Sequence, residues 1–375
     1  MSLDFFDRTL SEWIAPGIFL GAFILELFFL LFFYFRLLFL KKTTETILEK
    51  PLTVCLCVRN EEDRIEHILQ QLLTQDYGNY EVVVVDDFSE DCTIQKVGQL
   101  AKKYPRLKFT SISQETSFSE KMAINLALKA AHSEWVVFLR PDNELISPLF
   151  LKKVNDAITE SSFLLNYTNQ QAGKGFRNHC CRVERFTAFL STAAYGLVGH
   201  KAFYNDSNVV FHKELYFEQS GFRGKMNAYY ANLELVFNDS GKRKVSVLVD
   251  PETMIREERT CFPGDFSELV KKRLRINRQL GAGKRFVHFL EDLSKFLLWG
   301  AFAWLLITEP MNWLFITIPV VIVLFLQLFV VKTMTTRLNE AKIFLSSFVY
   351  MYIRPVLNWY HAGKIYILDK RNKWN

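Results

Sequence analysis

Leu52-Thr53-Val54-Cys55-Leu56-Cys57-Val58, followed at once by Arg59-Asn60-Glu61-Glu62-Asp63, decides the fold. An unbroken apolar run with β-branched residues is the pattern of a parallel strand covered on both faces. The acids after it open a helix whose Ile65, Ile68, Leu69, Leu72 and Leu73 recur at helical spacing behind an Asn60 cap, with Gly78 as its end. The alternation then repeats. Strands are predicted at 81–85, near 107–112 and at 135–139, and helices at 93–104 and 119–131. Strict alternation implies an α/β fold on a doubly wound parallel sheet, with any ligand at the carboxyl ends of the strands. That rule gathers Arg59-Asn60-Glu61, Asp86-Asp87 and Arg140-Pro141-Asp142 around one cleft.

Outside this alternation the chain turns apolar. Half of its 375 residues are hydrophobic and 35 are Phe, an excess that collects at the two ends. Residues 14–40 form one run long enough to cross a membrane as a helix, and Glu26 within it demands a face turned toward protein or water. Asp4, Asp7 and Glu12 before the run replace the basic start of a cleaved leader. Arg36, Lys41 and Lys42 follow it, placing the next domain on the cytosolic face. A second region, 293–331, breaks at Glu309-Pro310 and reads as a transmembrane hairpin with basic flanks. Residues 343–353 are too short to span; they end at Arg354-Pro355 and read equally as a segment in the membrane interface or as a packed helix, before a cytosolic tail. The expected divisions are therefore a short segment at 1–13, a helix at 14–40, a cytosolic domain at 51–285, the hairpin at 293–331 and an interfacial segment with tail at 338–375, in a multi-pass inner or cytoplasmic membrane protein. The net charge of +6 gathers beside these apolar runs, which speaks for membrane lipids and against nucleic acid as a partner. Six cysteines without metal-type pairing read as reduced, packed thiols.

The polar clusters narrow the chemistry. Val58-Arg59-Asn60-Glu61-Glu62 lacks the glycines of a dinucleotide-binding turn. Carboxylates at successive strand ends instead suit a site that hydrogen-bonds a nucleoside and holds a divalent cation against diphosphate oxygens. Asp86-Asp87-Phe88-Ser89 by itself is as readily a turn or a cap. His179, His200 and His212 lack a second ligand pair, and packed histidines are the simpler reading.

Several stretches in order resemble the family 2 glycosyltransferases. These are Pro51 to Glu62, Leu73-Thr-Gln-Asp-Tyr77, Val82 to Asp91, Lys121-Met-Ala-Ile-Asn125 and Phe138-Leu-Arg-Pro-Asp142, then Asn208 to Lys213 and Ser220-Gly-Phe222. The resemblance covers about Pro51 to Arg275 and implies a GT-A fold, a Rossmann-like nucleotide-diphospho-sugar transferase domain. It implies inverting transfer from a nucleotide-sugar donor to a lipid-linked or other membrane saccharide, with partner glycosyltransferase subunits possible and Mg or Mn as cofactor. On that likeness Arg59, Asn60, Glu61, Asp86, Asp87, Lys121, Arg140 and Asp142 face the donor, Asp142 being the metal ligand. Asn208, Gly221, Phe222 and Arg275 fall on the acceptor side.

Three departures fall on working positions. Arg140 stands where the family carries the first acid of Asp-x-Asp, and a guanidinium can itself pair with a diphosphate. The acidic pair that supplies the base aligns with Asn232, a neutral amide, leaving Glu234 as the nearest acid. The Gln-x-x-Arg-Trp motif of processive relatives is reduced to Lys272-Arg-Leu-Arg-Ile276, keeping Arg275 alone and arguing against a processive polymerase. A silent glycosyltransferase-like subunit that binds or scaffolds is the alternative expectation.

Overall fold

The computed structural model describes residues 13–115, 119–158, 162–238, 245–258 and 260–371; the short segment expected at 1–13 lies almost wholly outside them. In chain order the first elements are α1 (Ile14–Phe32), β1 (Leu52–Val58), α2 (Ile65–Leu73), β2 (Tyr80–Asp86), α3 (Thr93–Lys103), β3 (Leu107–Ser111), α4 (Ser119–Ala130) and β4 (Trp135–Leu139). Shorter pieces follow: β5 (Asn143–Leu145), α5 (Phe150–Ala157), β6 (Phe163–Leu165), β7 (Thr168–Gln170), α6 (Phe176–Gly196), β8 (Val209–His212), α7 (Lys213–Glu218), α8 (Leu233–Phe237), β9 (Ser246–Val247) and β10 (Ile255–Glu257). Four helices close the chain: α9 (Asp265–Gln279), α10 (Ala282–Thr308), α11 (Trp313–Arg337) and α12 (Phe344–Arg371). They make two compact units, an α/β unit of Leu40–Leu280 with Arg337–Glu340, and a helical unit of the elements before and after it.

In the α/β unit β1 is an interior strand. It pairs in parallel with β2 on one side and β4 on the other, and every one of its residues except Cys57 is buried. That is why its sequence is apolar on both faces. The main sheet runs β3-β2-β1-β4-β8-β6-β9. The first four strands are parallel as predicted, but β8 is antiparallel to both β4 and β6, so the sheet is mixed. Beyond Leu139 the strands shorten to four residues or fewer, and the strand-helix-strand spacing that enforces a parallel order ends with them. A small second sheet, β5-β10-β7, brings Glu257 opposite Asn143 just past the end of β4.

Helix α2 buries Ile65, Ile68, Leu69, Leu72 and Leu73, the predicted apolar face, each side chain worth about 1.5–3 kcal/mol of burial. Its ends differ from expectation. Asn60 is no cap: it adopts φ +53°, and its side chain accepts a hydrogen bond from Glu90 N at 2.9 Å. The helix starts five residues later, and it stops at Leu73, before Gly78, where Thr74 Oγ1 donates to Gln70 O at 2.8 Å. All six cysteines are free, but Cys92 is exposed at the start of α3 and not packed as expected.

In the helical unit α1 packs on α10 through Phe19, Ala22, Leu298, Ala301 and Leu305, with Ile316 and Val320 of α11 joining them. Glu26 is buried there and accepts a hydrogen bond from Ser294 Oγ at 2.5 Å, so the face it demanded is supplied by α10. Two stretches, Ile14–Phe39 and Pro310–Arg337, are helical, long and apolar enough to cross a membrane. In the second region a 3₁₀ turn at Pro310–Asn312 joins α10 to α11. Residues 343–353 do not end at Arg354-Pro355, because α12 runs through the proline to Arg371. A proline removes one intrahelical bond, and the turns on either side keep theirs.

Candidate functional site

The carboxyl ends of β1, β2 and β4 open on one edge, since Val58 is in register with Asp86 and Leu56 with Leu139. The loops after β1 and β2 are stitched into a single frame. Asn60 N donates to Ser89 Oγ at 2.9 Å, Glu61 N to Thr93 Oγ1 at 2.8 Å, and Cys92 N back to Glu62 Oε2 at 2.9 Å. Asn60 and Phe88 both take positive φ, the conformation the frame requires at its two turns. Asn60 and Asp86 therefore serve the frame itself: Asp86 is 3% exposed and accepts from Ser89 N at 3.2 Å.

Against this edge lies a cleft of about 570 Å³. Arg59, Glu61, Asp87, Arg140 and Asp142, all predicted for the donor side, line it. Glu184, Arg185, Glu257, Lys272 and Arg273 line it as well, supplied by α6, β10 and α9. The other predicted residues lie elsewhere. Lys121, Gly221 and Phe222 share a separate pocket of about 330 Å³. Arg275 lines a third, of about 280 Å³, where its guanidinium sits over the rings of Tyr229 and Tyr230. Asn208 is fully buried, its amide spent on Asn166 and the Thr253 carbonyl, so it fixes the start of β8 and faces no ligand.

The charges of the site are interlocked. Arg140 Nη1 reaches Asp206 at 2.8 Å and its Nη2 reaches Glu120 at 2.6 Å. Lys272 Nζ lies 2.7 Å from Glu234 and 3.9 Å from the same Asp206 oxygen. Asn232 bridges the group, donating to Asp206 at 3.4 Å and accepting from Lys121 Nζ at 3.1 Å. Burial works to raise the Asp206 pKa, but Arg140 and Lys272 prevail and hold it down to about 2. Glu234 is pushed up from the usual carboxylate range by burial and then by Asp206, against the pull of Lys272. Asp142 is pushed up to about 6 by burial and by Glu257, which Arg185 holds at 2.6 Å.

This arrangement shields the expected base. The Glu234 side chain is 0% exposed, its Oε2 accepts from Asn232 N at 2.9 Å, and neither it nor Asn232 lines the cleft. Sequence reading missed Asp206 entirely. The signal that could have found it was Arg140, because a guanidinium fixed at a strand end needs a counter-charge. The residues also fit a divalent cation poorly. Among the described residues no three His, Cys, Asp or Glu side chains gather to hold one. Asp142, the predicted ligand, feels the positive charge of Arg140 and Arg185, which opposes a cation beside it.

Comparison with known proteins places this architecture. The mannosyltransferase PcManGT of Pyrobaculum calidifontis, solved with GDP-Man and Mn²⁺, shares the fold at a TM-score of 0.53 and 18% identity, over 91% of this chain and 98% of that one. The beta-monoglucosyldiacylglycerol synthase of Trichormus variabilis is 29% identical over 104 residues, 27% of this chain and 22% of that protein. An uncharacterized glycosyltransferase of Haemophilus influenzae is 26% identical over 114 residues, 28% of this chain and 34% of its own length. The match thus spans about a fifth to a third of these curated relatives. The model of the family described as Glycosyl transferase family 2 matches residues 53–220, the stretch that builds β1 to β8 and the edge on which the cleft opens. Residues 53–220 are thus similar to the family 2 glycosyl transferases, and the α/β fold is GT-A-like.

Proposed function

We propose that the chain is an inverting glycosyltransferase that moves a sugar from a nucleoside-diphosphate donor to a membrane-associated acceptor, a lipid or lipid-linked saccharide. One observation carries the reading: five polar residues from the ends of three neighbouring parallel strands line a single cleft within a family 2 domain. Glu61 and Asp87 are placed to accept hydrogen bonds from nucleoside hydroxyls and N–H groups, and Arg59 to meet an anionic group. The acceptor class is supported by the diacylglycerol-linked product named in one relative and by the two helices apolar enough to cross a membrane. A cytosolic domain tethered in this way would share one surface with its acceptor, raising their effective concentration.

A second reading is favoured by Glu234. With the nearest acid to the expected base buried behind Lys272, the domain would bind a nucleotide sugar and turn nothing over, as a subunit beside an active partner. The two readings part on one experiment. Full-length protein in nanodiscs is incubated with UDP- and GDP-sugars and with bacterial lipid extract, and free nucleoside diphosphate and glycolipid are measured. Lipid-dependent release of both, abolished by Asp142→Ala, is the expected result. Tight nucleotide binding with no release from any donor would leave the silent subunit as the correct reading.

A further inference from the structure

The four central charges of the site are arranged by depth. Asp206 and Glu234 are 0% exposed, whereas the side chains of Arg140 and Lys272 keep 32% and 27% of their surface and line the cleft. The network therefore turns its cations toward the cleft and keeps its counter-charges behind them. Arg140 is held at two nitrogens, by Asp206 at 2.8 Å and by Glu120 at 2.6 Å. A guanidinium carries five donors, and among the described residues only Asp206 and Glu120 bond to this one. Glu120 is half exposed, so an incoming anion can displace it from Nη2 while the buried Asp206 keeps the guanidinium in place. Lys272 approaches the same Asp206 oxygen at 3.9 Å, which fixes the two cations as neighbours before any ligand arrives. A guanidinium preorganised in this way needs little rearrangement to stabilise an anion.

Resting on the glycosyltransferase reading, we propose that Arg140 and Lys272 neutralise the diphosphate of the donor in place of a divalent cation. The chain then binds nucleoside diphosphates without metal. Arg140 supplies the charge for the ligand, and Asp206 holds it there. Asp142, near Arg140 and Arg185, is left to hydrogen-bond the donor through its oxygens.

The test is calorimetric titration of the full chain in mild detergent with UDP and with GDP, once in EDTA and once in Mn²⁺ or Mg²⁺. The expected dissociation constants agree within about threefold between buffers, since among the described residues no three ligating side chains gather to hold an ion. Lys272→Gln and the paired Arg140→Gln/Asp206→Asn, which removes both members of the buried pair together, should each weaken binding in EDTA about tenfold or more, the loss of one charge-assisted bond. Arg140→Asp should convert binding to a Mn²⁺-dependent event. Wild-type binding that vanishes in EDTA and returns with Mn²⁺, or variants that bind like wild type in EDTA, overturn the inference while the functional reading stands. Failure of both diphosphates to bind in either buffer removes the functional reading, and this inference with it.

Discussion

Asp206→Asn perturbs the pair on which the site is built while changing the side chain's shape very little. In the folded protein the Asp206 pKa falls from 3.8 to about 2, with Arg140 at 2.8 Å and Lys272 at 3.9 Å overcoming the effect of burial. That depression corresponds to about 2–3 kcal/mol of stability at neutral pH, at 1.36 kcal/mol per tenfold. Breaking a fully buried pair costs about 3–5 kcal/mol, but Arg140 is a third exposed and keeps Glu120, and Lys272 keeps Glu234, so the lower figure applies. Because the folded pKa lies below the unfolded one, the contribution is complete above pH 4 and is lost as pH falls through about 2; about half is left at pH 3. Urea unfolding of the full chain in mild detergent measures it. The variant should lose about 2–3 kcal/mol at pH 7 and about half that at pH 3, and Arg140→Gln/Asp206→Asn should be more stable than the sum of the single changes implies. A midpoint and slope unchanged at pH 7 would refute the assignment of Asp206 as the counter-charge of the site.

Asp142→Asn should have the opposite sign. A carboxyl pushed up to about 6 by burial and Glu257 costs stability above that pH and nothing below the unfolded value, so the amide should stabilise by about 1–2 kcal/mol at pH 8 and be neutral near pH 3.5, read from the same urea series. Glu340 is fully buried and accepts from Tyr167 Oη and Asn169 Nδ2 at 3.0 Å, from Arg256 Nη1 at 2.7 Å and from Arg182. Glu340→Ala should cost about 3–5 kcal/mol, and a loss below 1 kcal/mol would show that the two arginines find other partners. Gly221 has φ +56°, and a methyl group added at its Cα would lie only 2.7 Å from the Tyr216 ring, so Gly221→Ala should lower the melting temperature by several degrees; an unchanged value would mean that Tyr216 swings aside.

What the sequence discloses here depends on how far apart the cooperating residues lie. The strands β1, β2 and β4 are legible because each carries its own evidence, an apolar run buried on both faces. The strand-end residues Asp87, Arg140 and Asp142 follow from that, since a parallel order places them on one edge without further information. The start of α2 is not legible, because Asn60 is held by Glu90, thirty positions away, and its local preference for capping loses to that contact. Asp206 is hidden for the same reason at greater range. The antiparallel register of β8 on β4, with Phe138 opposite Val209, carries the chain ends onward so that Arg140 and Asp206 become neighbours. Nothing in either local sequence announces that β8 reverses direction.

The same geometry accounts for the position of Glu234. Lys272 comes from α9, and its side chain passes between Glu234 and the cleft, contacting Glu234 and Asp206 together. A carboxylate shielded in this way can serve as a base only if Lys272 first leaves it, and a diphosphate that attracts Lys272 supplies the reason to leave. On the proposal that Glu234 is the base, donor binding and its exposure are one event. Lys272→Met separates the possibilities in a single measurement. If Lys272 is the gate, donor hydrolysis by water should rise relative to transfer even as donor affinity falls. If Lys272 only neutralises charge, both rates should fall together with the affinity, and a ratio unchanged from wild type would remove the gate from the account.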